Sequence, residues 1–92
     1  MQEKIIKLIL KELTILKITP LFIIKEKFSE KINDCYCIIL VKDNIYLIAH
    51  MIELRKNIRK KLGDNYDLIW RVNKTNKTLI EIIILKKRDN NI

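Results

Sequence analysis

The residue types best suited to chemistry lie close to the C-terminal end of the chain. Arg71, Asn73, Lys74, Asn76 and Lys77 fall within seven positions, between two β-favouring runs, and the second run closes on Lys86, Lys87 and Arg88. Cations and amides on a protruding turn can meet phosphates, which hold a polyanion in place without reading its sequence. Asn and Lys are also ordinary turn residues, so a plain solvated tip is the competing reading. Elsewhere the chemistry thins out. His50 stands between Ala49 and Met51 with no orienting partner in sequence, whereas a catalytic base needs both a partner and a cleft. A packed or boundary histidine is the better reading. Cys35 and Cys37 sit two apart in the run CYCIILV, where strand alternation would put both on one face as small hydrophobes. A zinc site needs more ligands than these, and His50 is the single histidine. Glu3, Glu12, Glu53 and Glu81 show no paired spacing for acid–base work and read as solvated or salt-bridging carboxylates. With one glycine in the chain, a phosphate-cradling loop or dinucleotide fingerprint is excluded. The reading is a non-catalytic protein with no metal and no cofactor.

Composition frames those residues. Ninety-two residues make one domain, 1–92. A chain this short buries a modest share of its surface. Here 49% of residues are hydrophobic and twenty are Ile, far too apolar for disorder. The formal net charge of +8 is uneven: residues 1–46 carry eight Lys against six acids, and residues 47–92 carry eleven Lys and Arg against five. A basic half on a small domain is the electrostatic footprint of a nucleic-acid binder. Charged cover for an aliphatic core is the bland alternative. Reduced cysteines and the lack of a small-residue cleavage site suggest an intracellular, cytoplasmic protein. Lys or Glu interrupts every apolar run before it reaches the length of a membrane span, so no membrane partner is expected.

The elements that must position these groups follow from periodicity. In residues 3–17, Lys4, Lys7, Lys11 and Thr14 mark one face of a helix, opposite Ile5, Ile6, Ile9, Leu13 and Leu16. A strand over 4–10 is the competing assignment, and Pro20 stops whichever element precedes it. Residues 21–28 read as a strand, 29–34 as a turn and 34–42 as a strand. Asp43 or Asn44 caps a helix over 45–62, with Ile45, Ile48, Met51, Ile52, Ile58 and Leu62 as its apolar set. Gly63 is placed to terminate it. A hairpin follows: 66–73, a tip at 74–77, and 78–87. The order α-β-β-α-β-β implies an α+β two-layer sandwich, a four-stranded, mainly antiparallel sheet with two helices on one face. The halves also align at an offset of 46 residues, where Phe22-Ile23 matches Leu68-Ile69 and 36–38 matches 82–84. Coincidence in a chain rich in Ile and Lys is the favoured explanation.

Trp70 alternates with Leu68 and Val72 and reads as a core residue rather than a stacking platform. The run 79–85 is apolar on both faces, with Ile80, Ile82 and Ile84 on one and Leu79, Ile83 and Leu85 on the other. An antiparallel sheet normally leaves one face polar. The excess implies cover by another chain, so Leu79, Ile83 and Leu85 are the candidate interface of a homo-oligomer or heteromeric complex.

Residues 35–88 resemble the later part of the Alba family of archaeal DNA- and RNA-binding proteins. There too a strand, a long helix and a terminal basic hairpin follow in this order, and the ending TLIEIIILKK and the helix exit KKLGDN look alike. The resemblance covers about half of the chain. It implies nucleic-acid contacts by Lys42 and by the hairpin 71–77, with duplex DNA or structured RNA as partner. The chain departs from the family at 42–44, where Lys-Asp-Asn replaces a Gly-Arg pair, and at its helical start. Only a strand over 4–10 and a helix over 14–27 would extend the match and bring in Lys11. Residues 3–62 resemble the small dimerising subunit of the KEOPS tRNA-modifying complex. That resemblance implies instead a non-catalytic assembly subunit, without the strand that opens that family.

Overall fold

The computed structural model describes residues 2–24, 29–30 and 33–87. The chain runs through α1 (Gln2–Ile15), β1 (Pro20–Ile24), β2 (Ser29–Glu30), β3 (Asn33–Lys42), α2 (Leu47–Leu62), β4 (Tyr66–Val72) and β5 (Leu79–Lys87). The sheet order is β1-β3-β5-β4 with every pairing antiparallel, and β2 adds a two-residue rung to the start of β3. Ile9 and Leu13 of α1 and Leu47, Met51, Leu54 and Ile58 of α2 share one core with Cys37, Ile39, Val41, Leu68, Ile80, Ile82 and Ile84. Both helices therefore cover the same face, and the fold is the expected α+β two-layer sandwich.

Residues 4–10 are helix, and Lys4, Lys7, Lys11 and Thr14 lie on its exposed side. That removes the strand-then-helix start that would have extended the Alba resemblance to Lys11. The helix ends well before Pro20. The Ile18 amide donates to the Leu13 carbonyl (2.9 Å) and the Lys17 amide to that of Thr14 (3.0 Å), while Lys17 itself has φ of +58°. This is a Schellman ending with a lysine where glycine is usual. Buried Ile18 and Leu13 supply its apolar clasp.

α2 starts at Leu47, and its buried stripe is Leu47, Met51, Leu54 and Ile58, spaced four, three, four. Ile45, Ile48 and Ile52, assigned to the core from sequence, are 87%, 65% and 56% exposed. Two apolar stripes compete on this helix, and α1 and β4 cover only one of them. Asn44 prepares the start, its side-chain oxygen accepting from the Tyr46 amide (2.9 Å) and its carbonyl from the Leu47 amide (3.1 Å). At the other end Gly63 has φ of +88° and its amide donates to the Arg59 carbonyl (2.9 Å). Ser29 and Glu30, expected in a turn, pair with Asp34 and Asn33 instead. The strand expectation for 25–28 and the turn at 31–32 lie outside the described residues.

β5 is a central strand, flanked by β3 and β4, and its apolar residues are buried on both faces apart from the half-buried Leu79. Its far face joins Ile38 and Ile69 in a second small core, where Ile83 is 0% and Leu85 3% exposed within a single chain; Leu79 is half-buried. The expected seam of Leu79, Ile83 and Leu85 is thus not open surface. A register shift falls between Cys35 and Cys37 in the β3–β5 pairing, and Cys37 lies in the main core. The two halves are built alike, each a helix followed by an antiparallel hairpin with its first strand at the sheet edge. At the centre Cys37 pairs with Ile84 and Ile38 with Ile83. A shift of 46 residues carries α1, β1 and β3 onto 48–61, 66–70 and 79–88, close to the bounds of α2, β4 and β5. The offset seen in sequence is therefore built into the fold.

Candidate functional site

Side-chain hydrogen bonds shape the β4–β5 turn. The Asn73 side-chain oxygen accepts from the amides of Thr75 (3.1 Å) and Asn76 (2.8 Å), and the Asn76 side-chain oxygen accepts from the amide (3.0 Å) and hydroxyl (2.6 Å) of Thr78. Both asparagines are committed to building the turn. Glu81 then holds its base: it accepts from Asn73 Nδ2 (2.8 Å) and from Arg71 Nε (2.5 Å). The carboxylate is largely buried, so Arg71 is charge-compensated and fixed. Of the five tip residues read from sequence, Lys74 and Lys77 remain as exposed cations.

The sheet brings Lys42 to them. Lys42, at the end of β3, pairs with Leu79 two positions beyond Lys77, and the Asp43 amide donates to the Thr78 carbonyl (2.9 Å). Lys42, Lys74 and Lys77 thus stand at one end of the sheet, all exposed, with the Asp43 carboxylate beside them. Arg59, Lys60, Lys86 and Lys87 gather at the opposite end, where the Lys87 amide donates to the Asn65 carbonyl (2.7 Å). Lys61 is taken up elsewhere. It bonds Glu12, a carboxylate only 2% exposed that also accepts from Asn57 (3.4 Å), tying α1 to α2.

One feature escaped the sequence reading. Trp70 packs against the main core yet is only half-buried, and it borders three hollows along α2 and the edge strand β4. One hollow, of about 300 Å³, has Ile48, Val72 and Arg71 in its wall; another, of about 250 Å³, has Ile52, Lys56 and Arg59. Ile48 and Ile52, one helical turn apart and off the core stripe, were the available signal. Arg55 is tied to Asp67 by two bonds, Nε to Oδ1 (2.8 Å) and Nη2 to Oδ2 (3.1 Å). Burial pushes the Asp67 carboxyl up. Hydrogen bonds from Arg55 and the Leu68 amide and the charges of Arg55 and Arg59 outweigh it, leaving the carboxyl below its ordinary range. The bond to Asp67 raises the Arg55 guanidinium in turn.

A second exposed patch is β1, where Leu21, Phe22, Ile23 and Ile24 are 48%, 64%, 40% and 42% exposed. Among the described residues no three His, Cys, Asp or Glu side chains gather as a metal site, and no helix is long and apolar enough to cross a membrane. His50 lies on α2 with its Nδ1 buried and without a hydrogen-bond partner. Set against family models, curated proteins and solved structures, the chain matches none.

Proposed function

We propose that the protein binds nucleic acid, DNA or RNA, through phosphate contacts at the hairpin end of the sheet, without catalysing a reaction. The observation that carries this reading is the convergence of Lys42, Lys74 and Lys77 on one sheet end, on a chain of net charge +8. Lys74 and Lys77 on a turn braced by Asn73, Asn76 and Glu81, with Lys42 at the adjoining end of β3, present charge from a rigid support, which lowers the ordering cost of each phosphate contact. Lysine contacts of this kind position a backbone and leave base sequence unread. Arg71, Asn73 and Asn76 support the site rather than touch the ligand. The test is a salt series on duplex DNA and a structured RNA. Replacing Lys42, Lys74 and Lys77 with Ala should weaken binding alike for unrelated sequences. It should also flatten the slope of log K against log salt by about 0.9 per lysine on duplex DNA. Wild-type protein that binds neither polymer at low salt would overturn the reading.

A separate observation favours a second reading, an assembly subunit. β1 is an edge strand with four consecutive exposed apolar residues, a surface ready for pairing with another chain. A partner added at this edge leaves the hairpin end open, so the two readings are compatible.

A further inference from the structure

We infer that the groove between α2 and β4 holds an unpaired, single-stranded segment of the bound nucleic acid, with Trp70 as its stacking platform. The inference rests on the nucleic-acid reading above and adds a site to it. Trp70 lines all three hollows of the groove, half-buried and packed against the core. Toward the hairpin end the wall continues through Ile48 and Val72 to the strand end that leads into Lys74 and Lys77. Toward the other end it continues through Ile52 to Lys56 and Arg59. Apolar surface at the centre with cations at both ends matches a strand whose bases lie inward and whose phosphates lie outward. Asp43 is the carboxylate at the hairpin mouth, and Asp67 is neutralised by Arg55. At the far end the exposed Asp64 lies 3.9 Å from Arg59, which leaves Lys56 as the cation there without an ion pair among the described residues.

Single-stranded nucleic acid suits the groove better than a duplex or an acidic peptide. Hollows of about 250 and 300 Å³ can admit a base, whereas a duplex keeps its bases stacked and out of reach. A flat indole between apolar side chains offers a stacking surface that any base can use, and base–aromatic stacking contributes about 1–3 kcal/mol per base. An acidic peptide would satisfy Lys56 and Arg59 but brings no planar group to Trp70.

The chain has one tryptophan, so its own fluorescence reports on the site. The probe is a fluorescein-labelled oligo(dT) dodecamer at low salt, followed by anisotropy of the label and by emission of Trp70. The expected result is saturable quenching that tracks the anisotropy, with weaker quenching by a duplex of equal length. Trp70→Leu should lower affinity for the single strand by about 5- to 150-fold, and Trp70→Phe, which keeps a ring, should recover most of it. If Trp70→Leu loses its circular dichroism signal, the exposed pair Lys56→Ala and Arg59→Ala serves instead. That double variant should flatten the single-strand salt slope by about 1.4. An anisotropy change without quenching overturns the groove assignment and leaves the phosphate reading standing. No anisotropy change with the dodecamer overturns the inference alone, and no change with the dodecamer, the duplex or a structured RNA overturns the phosphate reading as well. Quenching by poly-glutamate but not by the dodecamer assigns the groove to a protein partner and overturns the inference.

Discussion

Glu12 and Lys61 show how one buried charge joins two helices. Glu12 sits on the inner side of α1 at 2% exposure, while the Lys61 side chain is 47% exposed. The pair is asymmetric. Removing the lysine strands a buried carboxylate, but removing the carboxylate leaves a lysine that water can solvate. Lys61→Met should therefore cost about 1–3 kcal/mol in urea unfolding. Glu12→Leu, which puts apolar volume in its place, should lie within about 1 kcal/mol of wild type. Equal losses in both variants would contradict this account. The Arg55–Asp67 pair makes a different prediction, because it lies nearer the surface. A folded-state carboxyl held below its ordinary range stabilises the fold above the unfolded value, and that stabilisation disappears as pH falls through the lowered folded value. Asp67→Asn should be less stable than wild type at neutral pH, by less than about 1 kcal/mol for so exposed a pair. The gap should close below the ordinary carboxylate range near pH 4. A gap unchanged at acid pH would mean that the Asp67 charge contributes nothing.

The helices end by backbone devices that differ in how well they fit their residues. Lys17 holds a left-handed conformation at the end of α1, where a Cβ is a steric burden. Lys17→Gly should raise stability by about 1 kcal/mol after allowing for the greater freedom of glycine in the unfolded chain. Gly63 ends α2 at φ of +88° and ψ of −179°, a region open essentially to glycine. A Cβ there would meet no atom within 4 Å, so the cost of Gly63→Ala is conformational alone, about 1–3 kcal/mol. Thermal unfolding of the two variants should shift in opposite directions. Gly63 was legible as a terminator from sequence because its residue type announces the conformation. Lys17 was not, since nothing about a lysine marks a left-handed position. The same contrast holds for the hairpin tip: its cluster of polar residues was visible, but the division of labour between turn-building Asn73 and Asn76 and exposed Lys74 and Lys77 depends on which donors each side chain meets.

At the scale of the molecule, the two αββ halves meet through β3 and β5, which leaves β1 and β4 as the sheet edges. The two edges differ in use. β4 borders the groove of Trp70 and carries the basic hairpin, whereas β1 exposes Leu21, Phe22, Ile23 and Ile24. Exposed apolar edges pair with other strands unless charge or proline blunts them, and β1 carries a proline only at its first position, Pro20, with no charge over 21–24. Light scattering should show a dimer or larger species at micromolar concentration. Phe22→Lys, which places a charge at the most exposed position of β1, should give a monomer with unchanged circular dichroism. A wild-type monomer at high micromolar concentration would remove the second functional reading and leave the phosphate reading untouched. Ile83→Lys should instead unfold the chain, because Ile83 is buried inside one copy.

The sequence by itself determined the order of the main elements and the type of most of them, leaving 4–10 open between helix and strand. Three-four spacing of Lys4, Lys7, Lys11 and Thr14, the β-branched run around Ile38 and Ile39, and the single glycine after Leu62 are local signals, and local backbone preference decides them. Tertiary structure decided which apolar stripe on α2 is buried: Ile48 and Ile52 compete with Leu47 and Met51 in the first half of the helix, and the packing of α1 and β4 selects Leu47, Met51, Leu54 and Ile58. It decided that Ile83 and Leu85 are interior, because their burial comes from Ile38 and Ile69, which only the pairing of β5 with β3 and β4 brings against them. It also placed Lys42 beside the hairpin and Trp70 between apolar and basic neighbours. Those groupings join residues distant in sequence, and only the antiparallel register of the sheet and the packing of α2 on β4 bring them together.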